Sequence, residues 1–355
     1  MTRKPRPSSA SRTVSPLRRL AVGAGSAFAT VALVLVAVGL WAIWTYQGPG
    51  PAPRDGAPMT TVILRSGAGL PEIASSLERA GVIRSRAIFV AMAQASGAAR
   101  RLKAGEYEFK SRAAMASVLH DVRDGKVVRH WVTIPEGLTS EMAVEILSKA
   151  EELTGVAPIP PEGSILPQTY EVQRGEDRAR VLRRMMDARD ELLTRLWPQR
   201  KEGLPFDTPQ QAIVLASIVE KETGVAGERP KVAAVFVNRL RQGMRLQSDP
   251  TIIYGISRGR PLGRGLLASE VAAATPYNTY QIDGLPPTPI ANPGEASIAA
   301  VLAPPDSNDI YFVADGTGGH VFASTLEQHN ANVARWRQIE RQRASKTGPM
   351  QGPPT

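Results

Sequence analysis

The chain has 355 residues, long enough for two or three domains with a buried core, and carries a formal charge of +10. It has no cysteine, which excludes disulfides and thiol catalysis, and its four histidines (His120, His130, His320 and His329) form no HExxH or other tight ligand pair, so neither metal nor cofactor is expected. Arg3, Lys4, Arg6, Arg12, Arg18 and Arg19 fall in the first twenty residues with no acid among them; the remaining excess is spread thinly, without the basic stripe that a nucleic-acid partner requires.

From Leu20 to Trp44 no residue is charged. About 20 apolar residues cross the hydrocarbon of a bilayer as a helix, so residues 20–46 are read as a transmembrane span. Trp41, Trp44 and Tyr46 stand at its far end, where amphipathic rings favour the membrane interface. The basic head, residues 1–19, therefore stays cytoplasmic and the rest is exported. A cleaved signal peptide would have a shorter apolar region, about 7–15 residues, followed by a small-residue cleavage site. Residues 47–58, largely Pro and Gly, read as a linker that holds the folded part off the bilayer.

A small module is expected over 59–135. Thr60–Leu64 alternates like a strand, Pro71–Ala80 and Ser85–Ala95 have helical apolar spacing, and Gly105–Phe109 reads as a second strand. Strand, two short helices, strand is the order of a LysM-like sugar-binding module. Ala113–Val122 follows as a helix closed by Gly125, then Lys126–Ile134 as a β-rich run and a helix from Thr139 to Ala150. Ala157–Pro161 looks like a hinge or boundary, and Arg178–Trp197 is a long amphipathic helix. Residues 339–355, polar and ending in Gly and Pro, are expected to be disordered.

Thr208-Pro209-Gln210-Gln211 is a strong helix start, with Thr208 as N-cap, Pro209 at N1 and Gln211 closing a capping box. The following AIVLASIV, Ala212 to Val219, is apolar on every side and belongs inside a domain. It runs into Glu220, Lys221, Glu222, Thr223 and Gly224, with Gly224 a natural residue just past the helix end. Partial burial and the negative end of the helix dipole both raise a carboxylate pKa there, and a carboxyl kept protonated can donate to a glycosidic oxygen. Two positions apart on a helix is about 200° of rotation, so Glu220 and Glu222 cannot face each other across one sugar, and one of them at most is the donor. Bulkier apolar neighbours favour Glu222, with Glu220 second. Two solvated end-of-helix charges, one neutralised by Lys221, satisfy the same pattern.

ASIVEKETG (Ala216–Gly224), VAAVFVNR (Val232–Arg239), GMRLQSDPTIIYG (Gly243–Gly255), TPYNTY (Thr275–Tyr280), GLPPTPIANPG (Gly284–Gly294) and YFVADGTGGH (Tyr311–His320) follow in order, closed by His329-Asn330. Together with the apolar segment, TIPEG (Thr133–Gly137) and LPQTY (Leu166–Tyr170), they resemble the endolytic murein transglycosylases, the YceG-like family, over most of residues 20 to 335. The resemblance implies a protein of the inner (cytoplasmic) membrane whose periplasmic part, residues 136–338, cleaves MurNAc–GlcNAc bonds in nascent peptidoglycan strands beside penicillin-binding synthases. One glutamate would protonate the glycosidic oxygen and then act as base toward the C6 hydroxyl of MurNAc, leaving a 1,6-anhydro end. Related enzymes place their acid in a Glu-Ser-Gly-like step after an apolar helix, which Glu222-Thr223-Gly224 matches.

The same motifs supply candidate sugar-binding residues. Tyr277, Asn278 and Tyr280 offer aromatic faces and an amide; Gln247, Asp249 and Tyr254 follow the Gly243 break; Asn292 lies in a proline-stiffened loop. Arg239 and Arg245 are candidates for the lactyl or peptide carboxylates of the substrate, with Arg239 read as solvated, and His329 is read as a satisfied polar residue. Gln168 in LPQTY stands where the family pattern leads one to expect an acid. The fold class read from all this is α+β: a transmembrane helix, the LysM-like module, and a mixed α/β catalytic domain around the buried helix. A non-catalytic peptidoglycan-binding scaffold is the main rival reading, and a water-using muramidase the other.

Overall fold

A computed structural model describes residues 16–52 and 56–346, the backbone alone at 16–28 and 344–346. Most of the basic head and the last nine residues lie outside the described residues. The chain divides between Val128 and Arg129 into two units.

The first unit begins with α1 (Pro16–Gln47). Its stretch Ala29–Gln47, 19 residues of mean hydropathy 1.9, is long and apolar enough to cross a membrane. Then come β1 (Met59–Leu64), α2 (Leu70–Arg79), α3 (Arg86–Ala95), β2 (Gly105–Lys110) and α4 (Met115–Asp124). The order strand, helix, helix, strand is the one read from the sequence. β1 and β2 pair antiparallel, Met59 opposite Lys110 and Leu64 opposite Gly105. The helices cover the pair with Ile73, Leu77, Phe89, Val118 and Val122, which meet Val62, Leu64, Tyr107 and Phe109 in one core. Ser85 caps α3 by accepting from the Ile88 N–H, and Gly125 ends α4 in the left-handed conformation that a side chain resists.

The first residues of the Pro/Gly stretch after α1 are bonded to the module. Thr45 is buried, and Tyr46 packs against the module's core. The Arg84 guanidinium lies 5.4 Å from the centre of the Trp44 ring and donates to the carbonyls of Pro49 and Gly50, both at 3.2 Å. Gly50 N–H donates to Arg112 O at 3.0 Å. A Cβ at Gly50 would stand 2.3 Å from Ala113 O, so this close approach requires glycine. Residues 48–52 form a strap along the module, because Pro and Gly leave backbone carbonyls open to arginine where flexibility alone suggested a spacer.

The second unit starts with β3 (His130–Thr133), α5 (Ser140–Lys149), β4 (Thr169–Val172) and α6 (Arg178–Leu196). The β-rich run 126–134 yields only the short β3. Its partner β4 is far along the chain, His130 pairing with Val172 and Thr133 with Thr169. Ala157–Pro161 lies inside this unit, where Pro161 O accepts from the Ser140 hydroxyl at 3.0 Å. Val132, Ile134, Leu147, Ile165, Val181 and Met185 form its smaller core.

Next come α7 (Pro209–Glu222), α8 (Arg229–Arg241), α9 (Asp249–Ser257), α10 (Ala268–Ala272), α11 (Glu295–Leu302), the antiparallel hairpin β5 (Tyr311–Ala314) and β6 (His320–Ala323), and α12 (Leu326–Lys346). The capping box at Thr208 and Gln211 is formed, and every residue from Ala212 to Val219 is buried. Ile213, Leu215, Ile218 and Val219 meet Val232 and Phe236 of α8 and Ile298 and Val301 of α11. A helix apolar on all sides can only be stable when surrounded in this way. α12 runs to Lys346, so residues 339–346 are helical where the polar composition suggested disorder; the Glu-, Gln- and Arg-rich sequence favours helix by propensity.

Candidate active site

Burial ends abruptly at the last turn of α7. Glu220 and Lys221 are each held: the Glu220 side chain, 5% exposed, accepts from Arg229 at 3.2 Å and from Gly294 N–H at 3.0 Å. Arg229 also bonds Glu136 at 3.0 Å, and the Lys221 ammonium donates to Gly137 O at 3.2 Å. Both Glu220 oxygens are thus engaged as acceptors, a structural role and not that of a solvated charge. The helix closes through Thr223 in extended conformation, whose hydroxyl accepts from Val225 N–H at 3.0 Å. Gly224 is not in the left-handed region, so the expected glycine cap is replaced by a Ser/Thr-type turn.

Glu222 points into a different environment. It is half-buried, and one carboxyl oxygen, Oε1, accepts from the Ser248 hydroxyl at 2.5 Å. Desolvation pushes its pKa up to about 7; the negative charge of Asp249 adds to this, while Ser248, His320 and Arg239 oppose it. Ser248, which the sequence reading passed over, is 1% exposed and sits as N-cap of α9, between two residues that had been singled out. Its N–H donates to Thr279 Oγ1 at 2.9 Å, and Thr251 donates to Ser248 O at 2.6 Å. Thr251 and Thr279 share a further bond of 2.9 Å. This knot of hydroxyls locks the loop before α9 to the loop before Tyr280 and aims Ser248 at Glu222. The position before Asp249-Pro250 marks a helix start, yet the Ser248 side chain makes no capping bond and is free to donate to Glu222.

Around this centre the structure gathers part of the expected set. Asp249 is exposed, and the Tyr280 hydroxyl donates to it at 2.8 Å. Burial and that anion raise the Tyr280 phenol well above its usual pKa. Gln247 is exposed beside Ser248 with φ +53°, a left-handed backbone rarely adopted outside glycine, fixed by its N–H donating to Thr279 O at 3.1 Å. Tyr254 and Tyr277 form a separate edge-to-face pair at 5.0 Å. Their hydroxyls are engaged by Glu162 at 3.2 Å and Thr288 at 2.8 Å.

Two candidates are corrected outright. Asn278 is fully buried, its amide donating to the carbonyls of Glu270, Val271 and Ala273 and its oxygen accepting from Tyr280 N–H; it shapes the loop and has no group left for a sugar. Asn292 is likewise fully buried, bonding Ile165 N–H at 3.2 Å, Leu138 O at 3.0 Å and Ser140 Oγ at 3.2 Å. Amides in a proline-rich loop look like ligands, but such loops leave backbone groups unpaired and an amide is the natural filler. Asn292→Ala is expected to lower stability by about 2–4 kcal/mol, read as a shift of the urea midpoint, because it strands a buried N–H.

Arg239, read as solvated, is 7% exposed and donates to Leu246 O and Ile310 O, each at 2.7 Å. Arg245 pairs with Asp283 at 3.0 Å. His329 stacks on Tyr311 at 4.9 Å, and its buried Nδ1 has no hydrogen-bond partner among the described residues, where a satisfied polar residue was expected. Glu162, missed by sequence, is a half-buried carboxyl whose pKa is raised by desolvation, and it accepts from Ser140 N–H at 2.8 Å. No cluster of three or more His, Asp or Glu with metal-holding geometry occurs among the described residues.

Comparison with known proteins places this geometry in context. The model of a family described as YceG-like matches residues 62–335. A Bacillus subtilis (strain 168) protein named endolytic murein transglycosylase is 26% identical over 313 residues, covering 79% of this chain and 85% of that protein. One of the same name from Streptococcus pneumoniae serotype 2 (strain D39) is 29% identical over 333 residues, 80% of this chain. The chain spans only 59% of that relative's length. A crystal structure of a yceG-like protein from Listeria monocytogenes is 27% identical, with TM-score 0.48, covering 77% of this chain and 98% of that one.

Proposed function

Because the chain belongs to the YceG-like family, we propose that it is a membrane-anchored endolytic lytic transglycosylase of peptidoglycan, with Glu222 as its single acid and base. The observation that carries this reading is a half-buried carboxyl at the end of a buried helix with its pKa near 7. Two of the proteins it is similar to, at 26% and 29% identity, are named endolytic murein transglycosylase. Ser248 occupies Oε1, which leaves Oε2 to carry the proton toward the substrate. Protonation of the glycosidic oxygen breaks the bond from C1 of MurNAc. The C6 hydroxyl attacks C1, its proton passes to Glu222, and the acid is restored with no water consumed. Asp249, held by Tyr280 and close enough for its charge to act on Glu222, stabilises the positive charge that develops at C1.

The α1 helix serves as the membrane anchor, with the basic head cytoplasmic and the chain beyond α1 on the outer face of the inner membrane. The module of the first unit is LysM-like and holds glycan, and residues 136–338 carry the cleavage beside penicillin-binding synthases. Gln247, Tyr280 and Tyr277 remain substrate-facing candidates, Tyr277 through its ring face only, whereas Tyr254, 5% exposed and packed into the core around α7, is withdrawn.

A second reading rests on Asp249. A carboxylate in electrostatic range of a protonated glutamate is also what a glycosidase needs to activate water. Mass spectrometry of strands cut by the purified full chain decides between them. The proposed reaction leaves 1,6-anhydroMurNAc, one water lighter than the reducing end of a hydrolase; reducing ends alone would overturn the proposal, and no new ends would leave a binding scaffold.

Ser248→Ala is expected to move the alkaline limb of activity to higher pH. The hydroxyl stabilises the ionised form of Glu222, so losing it raises the pKa further and keeps the acid protonated longer. A pH–rate profile unchanged from the parent would remove Ser248 from the mechanism.

A further inference from the structure

The β5–β6 hairpin and α12 wall a cavity of about 480 Å³, within the size range of ligand pockets. Its lining includes two cations, Lys231 and Arg335, and the aromatic residues Phe322 and Trp336. Lys231 lies over the Phe322 ring at 5.6 Å, and neither cation has a carboxylate partner among the described residues. The nearby acids are already satisfied. Asp315 accepts from Thr317 N–H and Gly319 N–H in its own turn, and Glu228 accepts from His320 N–H at 2.8 Å and bonds the ring nitrogen of His320 at 2.7 Å. Among the lining residues the two cations outnumber the single carboxylate, Asp315, which is turned to its own backbone, so the cavity carries a positive excess beside its apolar residues.

The cavity is coupled to the candidate acid through His320, which lines it and whose charge acts on Glu222. Glu228, the partner of His320, also reaches the hydroxyl of Thr223, the residue after Glu222, at 3.5 Å. Meanwhile the arginines that the sequence offered for substrate carboxylates are occupied, Arg239 by backbone carbonyls and Arg245 by Asp283.

Resting on the reading of the chain as a murein-cleaving enzyme, we infer that this cavity is the subsite for the carboxylate-bearing peptide stem of the glycan, with Lys231 and Arg335 taking its carboxylates. Murein carries short peptides of small alkyl side chains and free carboxylates on every second sugar. A ligand that is apolar along its body and anionic at its groups fits a pocket lined by both Phe322 and Trp336 and by two cations. The pocket then sets which sugar of the strand is presented to Glu222.

The test compares the full chain with the Lys231→Ala/Arg335→Ala double variant on peptide-bearing strands and on strands stripped of peptide by an amidase. Both substitutions are at exposed positions outside the Glu222 network. The variant is expected to lose about tenfold in kcat/KM on peptide-bearing strands, through KM, and nothing on stripped ones. Equal loss on both substrates, or no loss on either, overturns the subsite. Calorimetry with the free stem peptide is a readout independent of cleavage: binding to the parent chain that the double variant lacks supports the site, and no binding to the parent overturns it. If neither substrate is cut but the peptide binds through Lys231 and Arg335, the cleavage reading fails and the site stands.

Discussion

Glu222→Gln is expected to abolish release of anhydro ends, by about 10²–10⁴-fold or more, while leaving the protein folded and more stable at alkaline pH. The side chain keeps its shape and its bond to Ser248 but has no proton to give. The stability sign follows from the raised pKa. Between the ordinary 4.5 and about 7, the native state holds a proton that the unfolded chain has released, so native stability falls as pH rises through that window and levels off above it. The glutamine variant has no such loss, and its advantage should grow from near zero below pH 4.5 to at most about 3 kcal/mol above pH 7. Thermal melts of the two proteins across that range read it directly. A pair of parallel curves would mean that Glu222 titrates normally, and the acid would have to be sought elsewhere. In the parent, activity should decline as pH passes upward through about 7, where the donor ionises.

Arg229→Met should cost about 3–5 kcal/mol. It removes the cation from Glu220, whose side chain is 5% exposed, and leaves a buried carboxylate with only the Gly294 N–H. Adding Glu220→Gln to that variant should restore at least half of the loss, because the penalty lies in the stranded charge. Glu136, the other partner of Arg229, is 41% exposed, and its change to Gln should stay within about 1 kcal/mol. Urea unfolding of the single and double variants makes the comparison. An additive double variant would show that the pair is not coupled. The contrast with Glu222 is sharp: the two carboxylates are two residues apart, yet one is an anchor and the other is kept available.

Much of this was legible in the residues. The capping box at Thr208, the all-round apolar run after it and the two carboxylates at its end required only local rules, and α7 forms as those rules dictate. The strand–helix–helix–strand order of the first unit was readable for the same reason, since each element carries its own periodicity. The pairing of β3 with β4 was hidden because both are four-residue strands whose partnership is decided by distant packing. Asn278 and Asn292 misled because sequence shows which groups an amide has, but not whether nearby backbone already engages them. Ser248 was hidden for the opposite reason: a small hydroxyl gains meaning only when a fold brings it against a carboxyl. Lys231 and Arg335 are ordinary charges in the sequence, and their interest arises from what fails to pair with them.

The strap at residues 48–52 changes how motion in the membrane is passed outward. With the last turn of α1 built into the core of the first unit and Arg84 clasping the backbone beyond it, the first unit cannot pivot about a loose joint. Where α1 crosses a bilayer, a change in its lean is transmitted to this unit as a lever transmits the turning of its shaft. Hydrocarbon thickness, which governs such lean, thereby becomes an input to the part of this unit that follows α1.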